Sequence, residues 1–256
     1  MCTLVILRRP HHPWPIIVGA NRDELSDRPW RPPARHWPDR PEIVAGLDEL
    51  AGGSWLGVND HGVVAGILNR TGTLGPLAGR RSRGELVLEA LDHADAAQAA
   101  AALLDIEPSS YRPFNLVIAD NRDAFWVRHT DPGGADSGGR TPVSVLPLLP
   151  GLHMLADGDP DDSTHPRIGT YMPRFAAAPP PDPETDDWTA WEALLGSAIA
   201  PADAPEQGMN FALENGFGTL ASSLIALPAI GGQTRKPVFR FAARRPLASP
   251  WENIAM

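Results

Sequence analysis

The chain has 256 residues, a formal net charge of −9 and 43% hydrophobic residues. That acidic balance excludes general nucleic-acid binding, which needs a basic face to neutralise phosphates, and so ordinary an apolar fraction excludes a disordered chain. The single cysteine excludes an intrachain disulfide, no apolar run approaches a membrane span, and the N-terminus reaches a double arginine and a proline too soon for a signal peptide; these features fit a cytoplasmic protein.

The lone cysteine, Cys2, sits directly behind the initiator Met. Cys is small enough for Met1 to be removed, which leaves a free α-amine on the residue that carries the thiol. With a reference pKa of about 7.7–8.0, that amine is a base near neutral pH. Thiol and amine together make a self-contained nucleophile–base pair. Residues 4–7 form an apolar run that predicts a buried strand, 8–13 a turn, and 15–20 a returning strand. The return carries Asn21, Arg22 and Asp23 back towards Cys2.

Prolines at 29, 32, 33 and 38 predict an extended loop, and neither a helix nor a central strand, over 28–38. Its Trp30, Trp37, Arg31 and Arg35 either pin that loop or line a ligand site. Short strands are expected at 43–48 and, as a hairpin, at 54–58 and 63–69, the latter closed by Asn69. Ser82 followed by Glu85 predicts a capping box at the start of a helix that runs through Leu91. A second, Ala-rich helix follows over 94–104. Strands at 114–119 and 125–129 pair across a polar turn, and 130–140 reads as a surface loop. Residues 143–149 and 151–156 are strand-like, 157–162 an acidic turn, and a helix starts at Pro166. Pro179 to Glu184 interrupts as a stiff insertion, a helix spaces Trp188, Trp191 and Leu195, and the last strands fall at 217–226 and 238–243. Two runs of strands separated by helices predict an α+β fold with stacked sheets. No composition shift marks a boundary, so 1–256 reads as a single domain with a Pro-rich insertion near 179–186.

Met1-Cys2-Thr3, a hairpin and Ala20-Asn21-Arg22-Asp23-Glu24 together resemble the opening of the NRDE family, also called the transport and Golgi organisation 2 family. The resemblance continues through Gly52-Gly53-Ser54-Trp55-Leu56-Gly57-Val58, Leu68-Asn69-Arg70, Arg81-Ser82-Arg83-Gly84-Glu85-Leu86 and Phe114-Asn115-Leu116, and fades after Asp120. The family is similar to the N-terminal-nucleophile hydrolases, in particular the bile-salt hydrolase and penicillin V acylase branch. That implies a four-layer αββα sandwich with the N-terminal Cys at a cleft mouth.

As an enzyme of this kind, the chain would cleave a linear amide. Cys2 is the nucleophile, Asp23 orients its amine, and Asn69 donates to the oxyanion, while Asn21 keeps the family match. Arg22 has moved along the strand relative to the Gly-Arg-x-x-Asp of the bile-salt branch, so alternation sends it in another direction. Two positions depart from the hydrolase pattern. Asp157 stands where relatives have Asn, and a carboxylate there repels an oxyanion unless protonated; Leu220 stands where relatives carry Arg. A non-catalytic carrier of haem or of an acyl lipid is therefore the alternative on the same fold. The residues call for no resident cofactor and no metal, haem entering only as cargo, and the partner is a small-molecule amide, haem or acyl ligand. None of the eight histidines makes a close-spaced helical metal pair. The oligomeric state is open.

Overall fold

The computed structural model describes residues 2–130, 143–231, 235–245 and 248–256. From the N-terminus run β1 (Thr3–Arg8), β2 (Ile16–Leu25), β3 (Trp30–Ala34), β4 (Ile43–Asp48), β5 (Leu56–Asn59) and β6 (Val64–Asn69). Then come α1 (Gly84–Leu91), α2 (Ala96–Ala102), β7 (Phe114–Ala119), β8 (Ala124–His129), β9 (Ser144–Pro147) and β10 (Gly151–Leu155). The C-terminal part holds α3 (Pro166–Ala177), α4 (Thr189–Leu195), β11 (Phe217–Leu227), β12 (Val238–Ala243) and β13 (Glu252–Asn253). The surface loop expected at 130–140 lies, past residue 130, outside the described residues.

The chain forms two compact units, one of Met1–Pro29 with Pro150–Met256 and one of Trp30–Leu149. In the first, an antiparallel sheet takes the order β10-β1-β2-β11-β12-β13. Its central strand, β2, is buried from Ile16 to Asp23, and the polar cluster is part of that strand. Val5, Ile17, Met154 and Leu224 meet Tyr171, Phe175, Trp188, Trp191 and Leu195 of the helical region in one apolar core. Phe175 and Trp191 pack edge to face at 5.1 Å between centroids. Gly19 permits this approach: a Cβ there would stand 3.2 Å from the Trp191 ring. The Pro-rich stretch is anchored, since Pro181 is buried and Trp14 Nε1 donates to the Glu184 carboxylate at 2.7 Å.

The second unit is an antiparallel meander from β3 through β9 in sequence order, with α1 and α2 packed over Ala65, Phe114, Leu116, Ile118 and Val127. Two expectations are corrected here. The Pro-rich stretch contains an edge strand, β3, which loses register against β4 between Arg31 and Ala34, where its two adjacent prolines fall. Pro lacks a ladder donor but is tolerated at a sheet edge. Its aromatics and arginines are held within the unit. Trp30 packs edge to face on Trp55 at 5.9 Å, Trp37 donates to the Gly52 carbonyl, and Arg35 pairs with Asp60 at 2.7 Å. The capping box does not form either: Arg83 is the N-cap residue of α1, Ser82 Oγ accepts the Gly84 N–H, and Glu85 turns to Arg81 at 2.7 Å. By contrast α2 is capped by Asp95, which accepts the Gln98 N–H at 2.8 Å.

Candidate functional site

The register of the first sheet positions the residues around Cys2. Thr3 pairs with Asn21 on β2 and Leu4 pairs with Leu155 on β10. Continuing the β1–β2 register by one residue and the β1–β10 register by two sets Cys2 level with Arg22 on one side and Asp157 on the other. Directly opposed residues share a face and successive residues alternate. Cys2 and Arg22 therefore belong to one face, while Thr3, Asn21 and Asp23 belong to the face that carries α3 and α4. Arg22 stands opposite Ala221 on β11, and it is buried.

Cys2 is half-buried. Its Sγ touches both backbone groups of Asp23, accepting the N–H at 3.4 Å and lying 3.6 Å from the carbonyl oxygen. The thiol pKa is pushed up, first by removal from water and then by the negative charge of Asp23, while Arg22 pulls it down. Because Cys2 is the one cysteine of the chain, alkylation reads this directly. Iodoacetamide should label the chain that keeps Met1 more slowly than it labels free cysteine at pH 8. Its rate should still be climbing above pH 9, where the rate for a free thiol of pKa about 8.5 levels off. A labelling midpoint at or below that of free cysteine would contradict the raised pKa.

On the opposite face the Asp23 carboxylate is locked. Its Oδ2 accepts from Arg167 Nη1 at 2.9 Å, and its Oδ1 lies 2.9 Å from the Thr219 hydroxyl. Both members of the Asp23–Arg167 pair have fully buried side chains. Arg167 Nη1 also donates to Thr3 Oγ1 at 2.7 Å, its Nη2 donates to the Glu206 carbonyl, and its guanidinium lies over the Phe211 ring. Asn21 Nδ2 donates to the carbonyls of Leu195 and Met209 at 2.9 and 2.7 Å, tying β2 to the segment that follows α4.

Arg167 is the residue that sequence reasoning misses. It lies 144 positions from Asp23 and sits in the first turn of α3, where the helix dipole disfavours a cation. That misplacement is the signal a reader could have used, because such a cation needs a partner elsewhere. Leu220 is buried in the irregularity between Thr219 and Ala221.

Asp157, two residues past β10, is also held by α3. His165 accepts the Ile168 N–H at Nδ1 as the helix cap, which places the ring proton on Nε2, and Nε2 lies 3.0 Å from Asp157 Oδ1. Asn69 belongs to the other unit, where it closes β6 opposite Phe114 and is half-buried. Among the described residues no group of three or more His, Cys, Asp or Glu side chains is placed to hold a metal ion, and no helix is long and apolar enough to cross a membrane.

A buried-strand hairpin that presents a cysteine at position two, in a chain with two antiparallel sheets and helical layers, defines the N-terminal-nucleophile hydrolase fold. Solved structures share it. A Caenorhabditis elegans ortholog of N-acylethanolamine-hydrolyzing acid amidase is similar at a TM-score of 0.56 and 14% identity, over 88% of this chain and 92% of that one. A C2A mutant of the conjugated bile acid hydrolase of Clostridium perfringens is similar at 0.51 and 11% identity, over 100% of this chain and 92% of that one. These likenesses show the fold, the αββα class expected from the sequence. The profile of the family Transport and Golgi organisation 2 matches residues 1–193, and the chain belongs to that family. The Transport and Golgi organization protein 2 homologs of Bos taurus and Homo sapiens are each 36% identical to it over 110 residues. That match spans 41% of this chain and only 38% of theirs.

Proposed function

We propose that this protein is an N-terminal cysteine amidohydrolase that cleaves linear N-acyl amides. The observation that carries the reading is the seat of Cys2: a thiol at the start of an inner strand, β1, against both backbone groups of an Asp23 that is fixed from behind by Arg167 and Thr219. The two enzymes of similar fold bear names that describe amide or conjugate hydrolysis, which agrees with it.

With Met1 removed, the α-amine of Cys2 takes the thiol proton as Sγ attacks the carbonyl carbon. A tetrahedral adduct forms, the amine passes that proton to the leaving nitrogen, and the C–N bond breaks to leave a thioester on Cys2. Water then attacks the thioester, again losing a proton to the α-amine. The acid departs and the thiol is restored. In this sequence the nucleophile is generated as the proton moves to the amine.

Wild-type protein should hydrolyse at least one member of an N-acyl amide panel, and brief exposure to that substrate should add the acyl mass to Cys2. Cys2→Ala should lower turnover by about 10³-fold or more, since loss of a nucleophile leaves only residual catalysis. Turnover that survives in Cys2→Ala would end the proposal.

A further inference from the structure

β1 begins at Thr3 and pairs from there with β2, so Cys2 lies one residue outside the ladder. It is framed by Thr3, its neighbour in the chain, and by Asp23, whose backbone N–H and carbonyl meet Sγ at 3.4 and 3.6 Å. One side-chain nitrogen joins these two residues. Arg167 Nη1 carries two hydrogens, and it donates to Thr3 Oγ1 at 2.7 Å and to Asp23 Oδ2 at 2.9 Å. The other arm, Nη2, donates to the Glu206 carbonyl, and Cζ stands 5.4 Å from the centroid of the Phe211 ring. The Arg167 side chain has no exposed surface. Its planar fork is therefore held from several sides at once, which the point charge of a lysine on a flexible stem does not reproduce.

We propose that Arg167 is the positioning residue of the Cys2 thiol: by bridging Thr3 and Asp23 it fixes the ends of β1 and β2 against each other beside Cys2, and so sets where Sγ stands. For catalysis the inference rests on the amidohydrolase reading, in which a nucleophile displaced by about 1 Å loses on the order of 10²-fold in rate. This role is separate from charge compensation at Asp23, and two substitutions pull the roles apart. Arg167→Lys keeps the positive charge, but a single ammonium has no second arm to hold the Glu206 carbonyl while it serves Thr3 and Asp23. Thr3→Val keeps the β-branched shape that suits a strand. It leaves the Asp23–Arg167 ion pair whole and deletes only the acceptor on β1.

The test reads the thiol itself, in the chain that keeps Met1, through the rate and pH profile of iodoacetamide labelling. Burial is the largest cause that raises the Cys2 pKa, ahead of the charge of Asp23. A thiol released from its seat gains water, and its pKa falls towards the value of about 8.5 for free cysteine. Arg167→Lys should therefore label at least about fivefold faster than wild type at pH 8, with its midpoint shifted down. Thr3→Val, which changes no charge, should move rate and midpoint in the same direction, by about twofold or more in rate. Ile225→Ala opens a cavity near the far end of β11; it controls for general loosening and should keep the wild-type profile. A wild-type profile in folded Arg167→Lys or in Thr3→Val would overturn the proposal, and so would an equal shift in Ile225→Ala. Should Arg167→Lys fail to fold, Thr3→Val against Ile225→Ala still decides. Turnover reports separately on the parent reading. In an active enzyme both variants should lower kcat with KM nearly unchanged, whereas shifted labelling with no hydrolysis by wild type under any condition would keep the seat and remove the hydrolase.

Discussion

Arg167→Met should destabilise the protein by about 3–5 kcal/mol in urea denaturation at neutral pH, the cost of leaving one buried charge uncompensated. Against a typical total of about 5–15 kcal/mol this is severe. The Arg167 and Asp23 side chains are both fully buried, so Asp23 has no water to turn to when the guanidinium is gone. Adding Asp23→Asn, which removes the stranded charge, should recover more than half of the loss, because deleting both partners of a buried pair costs far less than deleting one. If the double variant is no more stable than Arg167→Met alone, the loss comes from packing over Phe211 and not from the ion pair.

The same pair shows what the sequence discloses and what it withholds. The hairpin that brings Asp23 back to Cys2 is legible, because two apolar runs flank a turn of Arg, Pro and His, and the strands they predict are β1 and β2. So is the order of most later elements, where β-branched and aromatic runs alternate with Gly, Pro and Asp. Long-range partners are not legible. Arg167 and Thr219 converge on Asp23 from 144 and 196 residues away, and no local pattern encodes a meeting set by sheet order. Competition among side chains is equally hidden: Glu85 has the spacing for a capping box, yet Arg81 one turn earlier takes its carboxylate. The division into two units is silent too, since both crossings fall at a Pro, Pro29 and Pro150, in a chain where Pro is common throughout. The partner of Asp157, His165, is likewise out of sight in the sequence pattern, although it lies only eight positions on.

Protein with Met1 removed should hydrolyse an N-acyl amide, and protein carrying an uncleavable extension before Cys2 should hydrolyse it about 10²–10⁴-fold more slowly, the range that a general base contributes. The reasoning turns on one proton. In the processed chain the α-amine has a pKa near 7.7–8.0, so it is largely able to accept the thiol proton at pH 8. In the extended chain that nitrogen belongs to a peptide bond and accepts nothing. The thiol cannot compensate by ionising alone, because loss of water and the charge of Asp23 hold its pKa above the ordinary value. The extension leaves the core intact: β1 begins at Thr3, and the Asp23 ion pair lies on the face opposite Cys2, so both forms should unfold at the same urea concentration. Intact mass establishes which form is in hand, and a pH–rate profile of the processed form should show an ascending limb near the α-amine pKa that the extended form lacks. Equal turnover by both forms would rule out the amine as base. Turnover by neither, with saturable binding of haem or an acyl ligand by both, would favour a carrier, which has no proton to move and should bind alike with or without the extension.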